Sequence, residues 1–86
     1  MNADRSEIER AIRDFVLREF LPGEGPAALD RAPGLMTGGI LDSLSILALV
    51  DFVEERWGVT LDAHDLDVEH LDTVGTIAEL VRTKLG

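Results

Sequence analysis

The sequence has no cysteine and no tyrosine, and aromatic residues make up only 5% of its 86 positions. Without cysteine the chain forms neither disulfides nor thiolate metal sites, so any thiol chemistry would require an added cofactor. With so few rings, the core should be mainly aliphatic. The apolar content of 45% is enough for one small folded domain, which we place at residues 1–86.

Long apolar runs are also missing. No run approaches the roughly 20 residues that a membrane-spanning helix needs. The first residues do not form an apolar signal segment either. We therefore expect a cytoplasmic protein with no membrane partner. Nothing in the sequence indicates stable oligomerisation, so we also expect a monomer.

Basic residues are scarce: eight Lys and Arg stand against 17 Asp and Glu, for a net charge of −9. The excess is local, because residues 42–72 contain nine acids and one base, Arg56. Such a surface repels nucleic acid and anionic membranes, and it favours partners that present lysine and arginine. A solvated surface that only maintains solubility is the alternative interpretation of the charge.

The spacing of apolar residues predicts helices and no strand. The first helix should run to Phe20 from Ser6, which forms a capping box with Glu9. The stretch 21–41 contains all three prolines and five of the eight glycines, which predicts a long loop. Three apolar side chains should hold this loop against the core: Leu29, Leu35 and Met36.

The second main helix should begin after Asp42 and end at Gly58, and the third should be capped by Asp72 or Thr73. Between them, residues 62–66 should form one short helical turn. The predicted fold class is all-α: a small bundle of three main helices plus one short helix, with a long first loop.

The second helix has two unlike faces when its residues are placed at 100° intervals. One face carries the apolar stripe of a core helix: Ile46, Leu49, Val50, Val53 and Trp57. The opposite face, here called the docking face, is apolar near its start and acidic further along: Leu44, Leu47, Ala48, Asp51, Glu54 and Glu55. An apolar patch with a charged rim is typical of a partner-binding surface. Burial of the two leucines under a neighbouring segment is the alternative.

Ser43 is the candidate reactive side chain. A serine at the N-terminal end of a helix is well placed to carry a phosphate, because free backbone N–H groups and the helix dipole favour negative charge there. The pair Asp42-Ser43 has a simpler interpretation as an ordinary helix cap.

Other chemistries find less support. His64 and His70 lie six residues apart and share no helical face, so we predict neither a catalytic triad with Ser43 nor a metal site. The acidic stretch from residue 65 does not match a calcium-binding loop, since its sixth and twelfth positions hold His70 and Thr76 rather than Gly and Glu.

The order of motifs resembles the acyl and peptidyl carrier proteins over essentially the whole chain. Asp42-Ser43-Leu44 opens the second helix, and the segments 54–59 and 71–77 stand where that family has equivalent features. The resemblance implies a non-catalytic carrier. A phosphopantetheinyl transferase would attach 4′-phosphopantetheine to Ser43, and Asp42 would help present the serine, through the transferase's metal ion. The arm would hold acyl or aminoacyl groups as thioesters.

Differences from the housekeeping carriers of fatty-acid synthesis suggest which type of carrier protein the chain resembles. Gly39 lies one residue further from Asp42 than the glycine of that type, and Ser45 and Ala48 occupy outward positions where it has acids. The resemblance then implies a stand-alone carrier of specialised metabolism, of the polyketide or non-ribosomal peptide type. An adenylate-forming ligase or an acyltransferase would load it for downstream synthase enzymes, as in antibiotic biosynthesis.

Three alternatives stay open at this point. The chain could be a housekeeping fatty-acid carrier, or an unmodified acidic helical module that binds a basic partner through the docking face. A small hydrolase built on Ser43 is the third.

Overall fold

The computed structural model describes residues 4–25, 27, 29 and 34–85. Four α-helices have defined bounds in this part, with one 3₁₀ turn at Ala63–Asp65. The helices are α1 (Arg5–Phe20), α2 (Ser43–Trp57), α3 (Val68–Leu71) and α4 (Val74–Leu85). The predicted all-α bundle of three long helices and a short one is confirmed. Within the described ranges, no helix combines the length and the apolar character needed to cross a membrane.

The core is built mainly by α1 and α4, and α2 adds less to it. The buried residues of these helices are Ile8, Ile12, Phe15 and Val16 on α1, Ile77, Ala78, Leu80 and Val81 on α4, and Leu49 and Val53 on α2. All but Phe15 are aliphatic, as predicted. The helix that carries the candidate serine is therefore held to the bundle by a narrow buried stripe.

Aromatic contacts add to the attachment of α2. The rings of Phe15 and Phe52 are stacked with centroids 4.2 Å apart, and Trp57 meets Phe52 edge-on at 5.7 Å. Trp57 is half-buried rather than fully enclosed. Phe52 was not part of the predicted core stripe, yet its ring joins α2 to α1.

The start of α1 differs from the prediction. Its N-cap is Asp4, whose carboxylate accepts a hydrogen bond from the Glu7 amide at 2.9 Å, and the helix begins at Arg5. Ser6 is therefore an exposed residue of the first turn, and Glu9 pairs with Arg5 at 3.0 Å. The prediction of a Ser6 cap was wrong because Asp4 and Glu7 have the same spacing as Ser6 and Glu9, and Asp caps helices as well as Ser.

The segment 34–41, just before the candidate serine, is held in a turn by hydrogen bonds between its own backbone groups. The amide of Gly38 donates to the Gly34 carbonyl at 2.8 Å, and the amide of Leu41 donates to the Leu35 carbonyl at 2.8 Å. Gly39 has φ +80°, a conformation that favours glycine. The predicted loop contacts are confirmed, since Leu35 is buried and Leu29 and Met36 pack against the core.

Asp72 ties this segment to the junction between α3 and α4. Its carboxylate accepts hydrogen bonds from the amides of Met36 and Thr37, at 2.9 and 2.8 Å, and from the Thr37 hydroxyl at 2.9 Å. Its carbonyl accepts the Leu35 amide at 2.6 Å. These four hydrogen bonds are called the Asp72 latch below. A Cβ at Gly34 would overlap the Asp72 carboxylate, so the close approach requires glycine there.

Thr73, the other candidate cap, is the residue that caps α4. Its hydroxyl accepts a hydrogen bond from the Thr76 amide at 3.0 Å, and the Thr73 amide donates to the Thr76 hydroxyl at 3.2 Å. The two neighbouring polar residues therefore have different roles: Asp72 binds the loop, and Thr73 caps the helix.

Ion pairing fixes the opposite end of α4. The Asp65 carboxylate is nearly buried, accepts the Asp62 amide at 2.8 Å and lies 2.9 Å from the Lys84 Nζ. The Asp62 amide and then the Lys84 ammonium hold the pKa of Asp65 below its ordinary value. This contact secures the predicted short turn to the last turn of α4.

A matched pair of substitutions tests the two faces of α2. Val53→Asp should cost at least about 4 kcal/mol of unfolding free energy, because it buries an unpaired carboxylate at a fully enclosed position. Ala48→Asp, on the exposed face of the same helix, should lower it by less than about 1 kcal/mol, because only helix propensity is lost. Urea unfolding followed by circular dichroism measures both values, and similar losses would contradict the assignment of faces.

Candidate functional site

Ser43 is the first residue of α2 and is exposed. The cap of the helix is Asp42, whose carboxylate accepts the Ser45 amide at 2.8 Å and whose carbonyl accepts the Ile46 amide at 2.9 Å. Within the described part of the chain, the Ser43 hydroxyl makes no hydrogen bond. Because Asp42 does the capping, the hydroxyl of Ser43 is left available.

The electrostatics of this helix end favour an anion on Ser43. The first amides of a helix precede its internal hydrogen bonds, and the dipole of a 15-residue helix places partial positive charge at the same end. The pKa of Asp42 is held below its ordinary value by the Ser45 amide and then by the Ser45 hydroxyl. The cap therefore stays ionised at neutral pH, and the site combines a fixed cap with an exposed hydroxyl.

The start of the docking face is open to solvent. Leu44 is 77% exposed and Leu47 is 59% exposed, and the alternative in which they are buried is therefore wrong. The remaining exposed residues of this face are Ala48, Asp51 and Glu55. Unpartnered leucines beside the candidate serine, followed by acids along the same helix, have the composition of a binding surface with a charged rim.

Glu54 differs from the rest of the docking face. It is half-buried, and its carboxylate accepts the Leu61 amide at 2.9 Å. The chain reverses at Gly58, which has φ +67°, and this turn brings Leu61 back to the helix. The helical wheel, which ignores such a return of the chain, placed Glu54 outward. Glu54 instead holds the connection that follows α2.

Val68 was missed by the sequence reasoning. It is the first residue of α3 and is 49% exposed. The signal in the sequence was the preceding Asp67, whose carboxylate accepts the His70 amide at 3.0 Å and caps the short helix. An apolar residue directly after a cap in an acidic segment is a further candidate for partner contact.

The histidines are not joined to the serine site by any hydrogen bond described in the structure. His64 is exposed. The Nδ1 atom of His70 lies 2.7 Å from the Asp67 Oδ1. That contact, together with the hydrogen bond from the His70 amide, lowers the pKa of Asp67. Among the described residues, no group of three His, Asp or Glu side chains is arranged to hold a metal ion.

Comparison with known proteins finds a likeness to a solved structure. No family model matches the chain, and no curated protein matches it either. A solved structure described as "Crystal structure of FAD-dependent dehydrogenase" contains a similar chain, with a TM-score of 0.71 and 33% sequence identity. The match covers 81% of this chain and 97% of that chain. The two chains therefore share the helical fold over most of their length.

The Asp42 cap makes the stability of the folded protein depend on pH in the acid range. Its pKa is lowered from 3.8 in the folded state, so its contribution is present above that value and is lost as the pH falls through the lower folded value. Below about pH 4 the Tm should therefore fall. Asp42→Asn caps the helix nearly as well but does not titrate. It should have a Tm close to that of the wild type at pH 7 and a smaller decrease in acid.

Thermal unfolding at pH 7, 5, 4 and 3 checks this expectation for both proteins. Ser43→Ala serves as the control, because it leaves the cap in place and should follow the wild type. An equal decrease in the wild type and in Asp42→Asn would contradict the assignment of the cap.

Proposed function

We propose that the chain is a discrete carrier protein whose Ser43 takes 4′-phosphopantetheine and whose arm holds acyl or aminoacyl groups as thioesters. The observation that carries the proposal is the exposed Ser43 hydroxyl at the start of α2, directly after the Asp42 cap. The resemblance of Asp42-Ser43-Leu44 and its flanking motifs to carrier proteins points to the same serine. The chain itself catalyses no step.

The attachment reaction is a phosphoryl transfer to the serine. The Ser43 Oγ attacks the phosphorus of coenzyme A that bears the pantetheine, a new P–O bond forms, and the bond to the second phosphate breaks. Adenosine 3′,5′-bisphosphate leaves, and the serine proton passes to a base of the transferase. The product phosphodiester fits this position, since helix N-termini stabilise anions. The arm supplies the thiol that the cysteine-free chain lacks.

The docking face suits brief contacts with several enzymes in turn. Its leucines offer apolar contact area, while Asp51 and Glu55 attract basic patches and speed association. Tethering raises the local concentration of the cargo at each enzyme, so the carrier needs no tight binding of its own. The proposed partners are the transferase, a loading enzyme and downstream synthases. The loading enzyme is an adenylate-forming ligase or an acyltransferase.

The few early acids on α2 favour specialised metabolism over housekeeping fatty-acid synthesis. Ser45 is half-buried beside the Asp42 cap, and Ala48 is exposed, so the first turns of α2 present apolar surface rather than charge. Partners for such a helix would rely more on apolar contact near the serine. We place the carrier in polyketide or non-ribosomal peptide biosynthesis for this reason.

An FAD-dependent dehydrogenase is one partner class that we propose. The similar chain is shorter than this one, because 97% of it aligns with 81% of these 86 residues. A chain of that size leaves no room for a domain that encloses FAD. The reason for proposing a flavin enzyme as a partner is that a small chain of similar fold occurs in a structure described as an FAD-dependent dehydrogenase.

The first test of the proposal is the intact mass of the protein after incubation with coenzyme A, magnesium and a broad-specificity phosphopantetheinyl transferase. The wild type should gain one phosphopantetheine and Ser43→Ala should gain none. The variant should remain folded, because Asp42 keeps the cap. No gain in a folded wild type would exclude the carrier and favour the unmodified interaction module.

A charge placed on the docking face should weaken partner binding without unfolding the protein. Leu47→Arg should raise the KM of the transferase for the carrier, and the Kd for the FAD-dependent dehydrogenase, by about tenfold. Leu85→Arg, the same change at another exposed leucine, is the matched control and should alter neither. Equal effects of the two substitutions would contradict the proposed surface.

A further inference from the structure

The segment that leads to Ser43 is held in place by a residue far along the chain. In the Asp72 latch, one carboxylate accepts the amides of Met36 and Thr37 and the hydroxyl of Thr37, all within 2.9 Å. These amides have no ladder partner of their own in a loop, so the carboxylate satisfies donors that would otherwise need water. The Thr37 amide and hydroxyl and then the Met36 amide lower the pKa of Asp72.

The latch reaches the serine through its backbone hydrogen bond and one contact beyond it. The Leu35 amide donates to the Asp72 carbonyl at 2.6 Å, and the Leu41 amide donates to the Leu35 carbonyl at 2.8 Å. Leu41 is buried and directly precedes the Asp42 cap. Asp72 is therefore connected to the first turn of α2 by hydrogen bonds through Leu35 and Leu41 and then by the backbone.

We infer that Asp72 is a positioning residue for the modification of Ser43, and this inference rests on the proposed carrier function. With the latch closed, the approach to the serine is ordered before the transferase arrives. Without it, the transferase must order the segment on docking, and binding bears that entropic cost. Since the reacting hydroxyl and its cap are unchanged, the chemical step in the complex should proceed as before.

The test compares transferase kinetics for four variants at a temperature where circular dichroism shows each of them folded. Asp72→Ala should raise the KM for the carrier about tenfold and change kcat by less than about twofold. Thr37→Val removes only the hydroxyl contact and should raise the KM about threefold. Asp72→Asn keeps an oxygen acceptor for the amides and should restore a KM near that of the wild type.

Val81→Ala is the control for general loss of stability, because it opens a cavity at a fully buried position of α4. It should leave the KM unchanged. The inference is overturned by an unchanged KM in Asp72→Ala, or by an equal rise in Val81→Ala. If Asp72→Ala does not fold, Thr37→Val decides, and an unchanged KM there overturns the inference.

A second measurement does not depend on the carrier function. Amide hydrogen exchange of Met36 and Thr37, followed by NMR, should be faster in Asp72→Ala and unchanged in Val81→Ala. Equal exchange rates in the wild type and Asp72→Ala would show that the latch does not order the segment. A wild type that takes no phosphopantetheine would refute the proposed function, whereas a modified wild type matched by Asp72→Ala would refute only this inference.

Discussion

One carboxylate connects two parts of the chain that are far apart in sequence. Asp72 lies at the junction of α3 and α4, and its carboxylate accepts three hydrogen bonds from the segment that precedes the candidate serine. A loop of this kind has donors that no helix or sheet satisfies, and a single ionised acceptor can bind several of them at once. The close approach requires glycine at position 34, so Gly34 and Asp72 form one structural unit. The segment that leads into α2 is therefore held in place by this contact.

The second constraint is that α2 must pack against the core on one side and present an exposed face on the other. A helix with a broad exposed face has little surface left to bury, and α2 contributes Leu49 and Val53 to the buried core where α1 and α4 contribute four residues each. The ring stack between Phe15 and Phe52 adds contact area where the aliphatic stripe is narrow. In the proposed carrier, this division leaves Leu44 free for partners while the bundle stays folded.

Much of the fold could be predicted because helical periodicity is a local property. The three long helices, the short turn near Asp65 and the loop contact at Leu35 all followed from apolar spacing and from the positions of Pro and Gly. Capping was harder, because Asp4 and Ser6 both satisfy the same short pattern and only the entry of the chain into the helix separates them. Glu54 was misplaced because the wheel contains no information about the return of the chain at Gly58.

The amino-acid sequence alone was enough for the all-α class, for the serine at a helix start and for the acidic second half of the chain. Those features depend on residues a few positions apart, so the spacing of residue types and the composition are enough to predict them. Only the tertiary structure decided that Leu44 and Leu47 stay exposed and that Asp72 binds the loop rather than capping α4. These outcomes depend on which segments pack together, and contacts between residues more than thirty positions apart leave no periodic trace in the sequence.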